Sequence, residues 1–266
     1  MSFSLAGIRH LLIDLDGVLY RGRTALPGAE QFIRFLQQQN TAYRLVSNNA
    51  TMTPQQYVEK LAGMGIDVPA DNIVTSALAT RFYLEEQEQS GKKAFVIGEK
   101  GLLDAVSQAG LEIVSDRPAD WVIIGLDRHA TYHDFEIATL ALESGARLLA
   151  SNADASFPTE QGLVPGAGAL LAVLTTATGM KPIVVGKPEP LMLELAMRQM
   201  RGSRADTAML GDRLDTDIEA ANRLGIPSIL ILTGVSKRSE LHDSPWRPDL
   251  VVNDLSDLEH HWREAA

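Results

Sequence analysis

The sequence predicts an α/β protein built on parallel sheets, and three observations carry that expectation. Short β-branched or leucine-rich runs alternate with longer amphipathic stretches along most of the chain, as strand–helix–strand units do. The run His10–Leu15 is nearly all apolar, as a strand buried on both faces is. Polar clusters follow several such runs at once, and in open α/β sheets ligands gather at the carboxyl ends of strands.

The elements follow in order. After the strand at His10–Leu15, Pro27 opens a helix in which Ala29, Phe32, Ile33 and Leu36 recur at helical spacing. Ala42–Val46 reads as a second strand. Thr53-Pro54-Gln55-Gln56 reads as a helix start, with Thr at the cap and Pro in the first turn. Further strands are expected at Ala94–Ile97, Trp121–Gly125, Leu148–Ala150, Ile183–Val185, Thr207–Leu210, Ser228–Leu232 and Leu250–Val252. Helical patterns lie between them around Leu102–Ala109, Phe135–Glu143, Leu191–Met200 and Ile218–Leu224. No fixed-period repeat or long linker interrupts the series. The least structured candidates are Thr75-Ser76-Ala77 and Gly179-Met180-Lys181-Pro182.

Composition narrows the function classes. The 266 residues are 45% apolar and 22% charged, an ordinary globular mix. A net charge of −10 repels nucleic acid and anionic lipid headgroups, so neither is an expected partner. An anionic substrate must then be met by a local positive site. The absence of cysteine excludes disulfides, thiolate metal sites and cysteine nucleophiles. The amino-terminal apolar run meets aspartates too soon for a signal peptide or a membrane span, so a cytoplasmic enzyme is expected.

Four segments carry chemistry. In Asp14-Leu15-Asp16-Gly17-Val18-Leu19, two carboxylates directly follow a buried strand. Side chains two apart in a strand share one face, and Gly17 lets the chain turn there. Capping of the next turn is the alternative use of these aspartates. In Met209-Leu210-Gly211-Asp212-Arg213-Leu214-Asp215-Thr216-Asp217, three aspartates crowd another strand end. Their repulsion calls for a cation, and Mg²⁺ suits a site with few carboxylates because it keeps its waters. An EF-hand loop is excluded because Asp217 stands where that loop needs glycine. Lys187 in Val184-Val185-Gly186-Lys187-Pro188 offers a compact positive charge for a phosphate oxygen. Ser47-Asn48-Asn49 supplies a hydroxyl and amides after the second strand, where a plain turn is the alternative.

In this order the four segments resemble the motifs of the haloacid dehalogenase-like superfamily, nearest its NagD-type and 4-nitrophenylphosphatase-like branch. Leu26-Pro27-Gly28-Ala29, Ser151-Asn152-Ala153-Asp154 and Pro165-Gly166-Ala167-Gly168-Ala169-Leu170 add to the resemblance, which spans almost the whole chain. It implies a Mg²⁺-dependent phosphomonoesterase acting through an aspartyl-phosphate. Asp14 would be the nucleophile and a metal ligand. Asp16 would protonate the leaving oxygen and then activate water, its backbone carbonyl binding the metal. Ser47 and Asn48 would hold phosphoryl oxygens, and Lys187 would neutralise both phosphate and Asp14. Asp212 would bind Mg²⁺, with Asp217 standing behind the ligands. Asp16 must be protonated for the first half-reaction, so a raised pKa and an acidic or neutral rate optimum are expected.

The resemblance also implies a Rossmann-like core of residues 1–77 and 181–266, with an α/β cap inserted at 78–180. A cap would shield the intermediate from stray water, with leaving-group contacts expected near Asn152–Pro165. Caps of this branch often pair, so a homodimer through the cap is one expectation. The substrate stays open among sugar phosphates, nucleoside monophosphates, phosphoglycolate and pyridoxal phosphate. A phosphomutase or phosphotransferase using the same intermediate is the alternative, as is a non-catalytic phosphometabolite-binding protein. His129 and His133 lack the glutamate of a zinc helix, and Gly166-Ala167-Gly168 lacks the third glycine of a dinucleotide loop. The absence of a Gly-Lys-Ser/Thr loop argues against a P-loop NTPase.

Overall fold

The computed structural model describes residues 4–89, 91–159 and 161–265. The chain forms two compact units. One holds Met1–Ser47, Gln55–Val74 and Lys187–Ala266, and the other Asn48–Pro54 and Thr75–Gly186.

The first unit is built on a six-stranded sheet in the order Leu250–Val252, Ser228–Ile231, Thr207–Gly211, His10–Asp14, Ala42–Ser47, Ile73–Thr75. The first five strands pair in parallel. Their middles are apolar because helices cover both faces of such sheets. Leu11, Leu12, Ile13, Leu45, Val46, Met209 and Leu210 have no exposed surface, each contributing roughly 1.5–3 kcal/mol relative to exposure. The expected spacing places Ala29, Phe32, Ile33 and Leu36 on the buried face of helix Ala29–Gln38. Phe35 of that helix meets Trp262 of helix Leu255–Ala265 edge-on, with ring centroids 6.3 Å apart.

Register fixes where the chemistry goes. His10 lies opposite Thr207 and Asp14 opposite Val46, so the three strands end level. Ala42–Ser47, the next strand of this sheet along the chain, lies on one side of His10–Asp14, and Thr207–Gly211 lies on the other. That reversal opens a crevice at the carboxyl ends, the usual ligand position in such sheets.

The second unit has its own parallel sheet, ordered Ile183–Val184, Arg147–Ala150, Trp121–Ile124, Lys93–Ile97, Glu112–Ile113. Helix Tyr132–Glu143 starts at a capping box between Thr131 and Asp134 and packs with helix Ala167–Thr178 over a core around Val122, Ile124, Leu142 and Leu174.

The division differs from the expected boundaries in three places. Ile183–Val184 pairs with Arg147–Ala150 and so belongs to the second unit's sheet. Asn48–Pro54 belongs there too, since Gly101 N–H donates to Thr51 O at 3.1 Å. A side chain at Gly101 would strike Met52 O. Thr75-Ser76-Ala77, expected as loose chain, is a buried junction in which a strand ends and a helix begins. Thr75 Oγ1 caps that helix by accepting from Leu78 N–H at 3.2 Å. No helix among the described residues is long and apolar enough to cross a membrane.

Candidate active site

Asp14 closes the central strand of the first unit, and Lys187 is the residue it meets. Lys187 Nζ donates to Asp14 Oδ1 at 2.5 Å, to Asp217 Oδ1 at 2.6 Å and to Val46 O at 3.3 Å. The lysine is 2% exposed and Asp217 fully buried. Burial opposes the lysine's charge, but the two carboxylates overcome it and hold the ammonium above its usual range. Burial pushes Asp14 well above the usual carboxylate range. The Asp217 and Asp212 carboxylates add to the rise and Lys187 opposes it.

The fourth segment folds as a wide turn. Asp217 and Ile218 both donate to Arg213 O at 3.1 Å, and the turn runs straight into helix Glu219–Leu224. Such i→i+5 turns are rare and frequently mark functional sites. This one brings the Asp217 side chain over Gly211, where any Cβ would collide with it. Asp217 Oδ2 accepts from Arg213 N–H at 3.1 Å, so both its oxygens are engaged. Asp215, by contrast, leaves the cluster. Arg213 clasps its two oxygens at 3.0 and 2.8 Å, and that contact holds its carboxyl below the usual range.

Asp212 sits in a cradle of backbone. Its Oδ2 accepts from Val235 N–H at 2.7 Å. A Cβ at Gly17 would lie 2.5 Å from that oxygen, and one at Gly234 would overlap the carboxylate. Gly17 also has φ +85°, a left-handed conformation. Burial, with the Asp217 carboxylate, pushes Asp212 up to about 7. Sequence reasoning missed the part played by Gly234 and Val235. Their signal is the Thr233-Gly234 pair soon after an apolar strand.

Asp16 occupies the turn beyond Asp14. It bridges to Tyr20, and the chain continues through a small hairpin of Tyr20–Arg21 with Thr24–Ala25 that sequence reasoning did not anticipate. Its side chain reaches solvent. The protein around the carboxyl still raises its pKa by desolvation, against the pull of Lys60, Arg21 and the Gly22 N–H.

The second motif divides between the units. Ser47 ends its strand 8% exposed, with Oγ 3.4 Å from the Tyr57 hydroxyl. Asn48 belongs to the second unit. Its Nδ2 donates to Asp154 Oδ2 at 3.0 Å, and its carbonyl accepts from Asn152 Nδ2 at 2.8 Å and from Ser76 Oγ at 2.5 Å.

The donor set fits a hard divalent cation. Asp14, Asp212 and Asp217 each present an oxygen, all within 4.8 Å of one another. Three buried carboxylates face one ammonium, an imbalance that a cation with oxygen ligands removes. Both oxygens of Asp217 already accept a hydrogen bond, from Lys187 and from the Arg213 N–H, whereas Asp14 and Asp212 are each held through one oxygen.

Known proteins share this architecture. Residues 11–112 match the haloacid dehalogenase-like hydrolase family, and residues 184–258 match a second, HAD-hydrolase-like family. An acid sugar phosphatase of Staphylococcus haemolyticus is 40% identical over 245 residues, covering 92% of this chain and 93% of that protein. The 4-nitrophenylphosphatase of Thermotoga maritima superposes with a TM-score of 0.91 at 32% identity, covering 96% of this chain and 98% of that one. NagD from E. coli K-12 gives 0.88 at 33% identity, with coverage of 97% and 98%. The chain belongs to the haloacid dehalogenase-like hydrolases, in the NagD and 4-nitrophenylphosphatase branch.

Proposed function

We propose that this enzyme is a Mg²⁺-dependent phosphomonoesterase that hydrolyses small phosphorylated metabolites through an aspartyl-phosphate on Asp14. The observation that carries the reading is the buried set of Asp14, Lys187, Asp217 and Asp212, whose carboxylates and ammonium meet at one point. The name of the staphylococcal relative favours a sugar phosphate as substrate.

Phosphoryl transfer needs positioning and charge stabilisation more than covalent assistance. When bound by Asp14, the Asp16 carbonyl and Asp212, Mg²⁺ would supply positive charge against the phosphoryl oxygens and hold Asp14 ionised. Lys187 adds a fixed ammonium beside the nucleophilic oxygen. Asp14 attacks phosphorus, the bond to the ester oxygen breaks, and Asp16 gives that oxygen its proton. Asp16, now ionised, takes a proton from water as the water attacks phosphorus, and Asp14 is freed as phosphate leaves. Ser47 Oγ holds a phosphoryl oxygen. Asp217 holds Lys187 in place.

Isotopically labelled water tests the reading. Hydrolysis puts label from the solvent into the released phosphate. Unlabelled phosphate, or transfer to an added alcohol or sugar alone, would favour a phosphomutase or phosphotransferase. Tight ester binding with no turnover would favour a binding protein.

A further inference from the structure

We infer that Lys60, Arg21 and Arg23 form an anion-recognition site beside Asp16, which selects phosphomonoesters whose alcohol half carries a second negative group. The inference rests on the phosphatase reading above, in which the ester's leaving oxygen receives its proton from Asp16.

The geometry lies within the first unit. Lys60, in the last turn of helix Pro54–Ala62, sets its ammonium over the Tyr20 ring, 3.8 Å from the centroid. Tyr20 is the residue that bridges to Asp16, and its carbonyl accepts from Gly17 N–H at 2.8 Å. Arg21 is fastened on another side. Its Nη2 donates to Thr233 O at 2.6 Å, and Thr233 Oγ1 donates to Gly17 O at 2.6 Å. Arg23 stands in the exposed turn of the same hairpin, next to Gly22, whose N–H donates to the Asp16 carboxylate. Lys60 and Arg21 thus act on the Asp16 carboxylate, and Arg23 stands close enough to act on Lys60.

Charge and burial say what these groups are suited to. Lys60 is half-buried, and burial depresses its pKa, with Arg23 adding to the fall and Asp16 opposing it. An ammonium kept partly from water normally has a close carboxylate, because desolvating a charge is costly. Lys60 has a ring face instead, worth roughly 0.5–2 kcal/mol. Arg21 spends one of its five guanidinium donors on Thr233. Whichever state Asp16 is in, the three cations exceed it. On a chain of net charge −10, such a local excess draws a second anionic group to the leaving-group side. A neutral alcohol leaves those donors with water alone.

A matched pair of esters tests this: 3-phosphoglycerate and glycerol 3-phosphate, which differ by a carboxylate in place of a hydroxymethyl group. With Mg²⁺, the native enzyme is expected to favour the carboxylate ester in kcat/KM by about tenfold or more, the size of a charged hydrogen bond. Lys60→Gln should bring that ratio toward one, chiefly through KM, and Arg23→Gln should move it the same way by less. A native preference for the glycerol ester, or equal losses on both esters in Lys60→Gln, overturns the proposal. If Lys60→Gln does not fold, an unchanged ratio in the exposed Arg23→Gln overturns it. Turnover of 4-nitrophenyl phosphate without the carboxylate preference leaves the phosphatase reading standing and removes this one. No turnover of any of the three esters removes both.

Discussion

Asp217 Oδ1 accepts a hydrogen bond from Lys187 Nζ at 2.6 Å, with both groups shut away from water. The same ammonium serves Asp14, so one lysine balances two buried carboxylates. Removing it leaves two like charges in low dielectric, whereas removing Asp217 leaves Lys187 with Asp14 as a partner. Lys187→Met should cost about 3–5 kcal/mol in urea unfolding of the metal-free protein at pH 8, the range for a broken buried pair. Asp217→Asn should cost clearly less while still lowering kcat. The reverse order of stabilities would mean that Asp217, not Lys187, is the partner the cluster depends on.

On the proposed reading, in which Asp212 holds the metal, the backbone cradle makes Gly234 a position that tunes metal affinity with no ligand of its own. A methyl group there must push the carboxylate aside, because it would overlap Oδ2 and Cβ of Asp212. Gly234→Ala should weaken Mg²⁺ binding by about 10–100-fold in calorimetric titration, the range seen when support of a metal ligand is disturbed. Circular dichroism should remain native. Unchanged affinity would take Asp212 out of the metal site.

Protons and metal should compete for the same carboxylates. Asp212 is raised to about 7 and Asp14 is raised as well. The folded protein therefore binds more protons than the unfolded chain at pH values between the ordinary carboxylate range and about 7. Its stability is fully present below that window and is lost as pH rises through about 7. Metal-free protein should melt at lower temperature at pH 8 than at pH 6, and saturating Mg²⁺ should restore most of the difference. A melting temperature that rises with pH across this range would contradict the burial of unpaired charge here.

Asp16 has the raised pKa that a proton donor needs. Turnover of an alkyl phosphate should fall as pH rises through that value, because the proton is no longer there to give. Asp16→Asn should cost about 10²–10⁴-fold on alkyl phosphates and much less on 4-nitrophenyl phosphate, whose phenolate leaves without a proton. Equal losses on the two esters would show that the Asp16 carboxyl does not protonate the leaving oxygen.

Part of this site could be read from the chain because it is local. Asp14, Ser47 and Asp212 each follow a short apolar run, and parallel register alone brings those strand ends level. Other features depend on partners remote in sequence. Nothing in Ile183–Val185 says which sheet it joins, since that is settled by pairing with Arg147–Ala150. The two-residue strands of the Tyr20–Ala25 hairpin are too short to show a period of two. Asp215 looks equal to its neighbours until Arg213 is seen to clasp it. The Val235 N–H that holds Asp212 is main chain, and a sequence gives no side-chain signal for it.

Phosphate release from 4-nitrophenyl phosphate decides whether Asp14 is the nucleophile of a metal-dependent phosphatase. The native protein and Asp14→Asn should be compared with Mg²⁺ and with chelator. Turnover by the native protein should require Mg²⁺ and fall by at least about 10³-fold in Asp14→Asn, as for loss of an attacking group. Mg²⁺-independent turnover, or turnover that survives in Asp14→Asn, would contradict it.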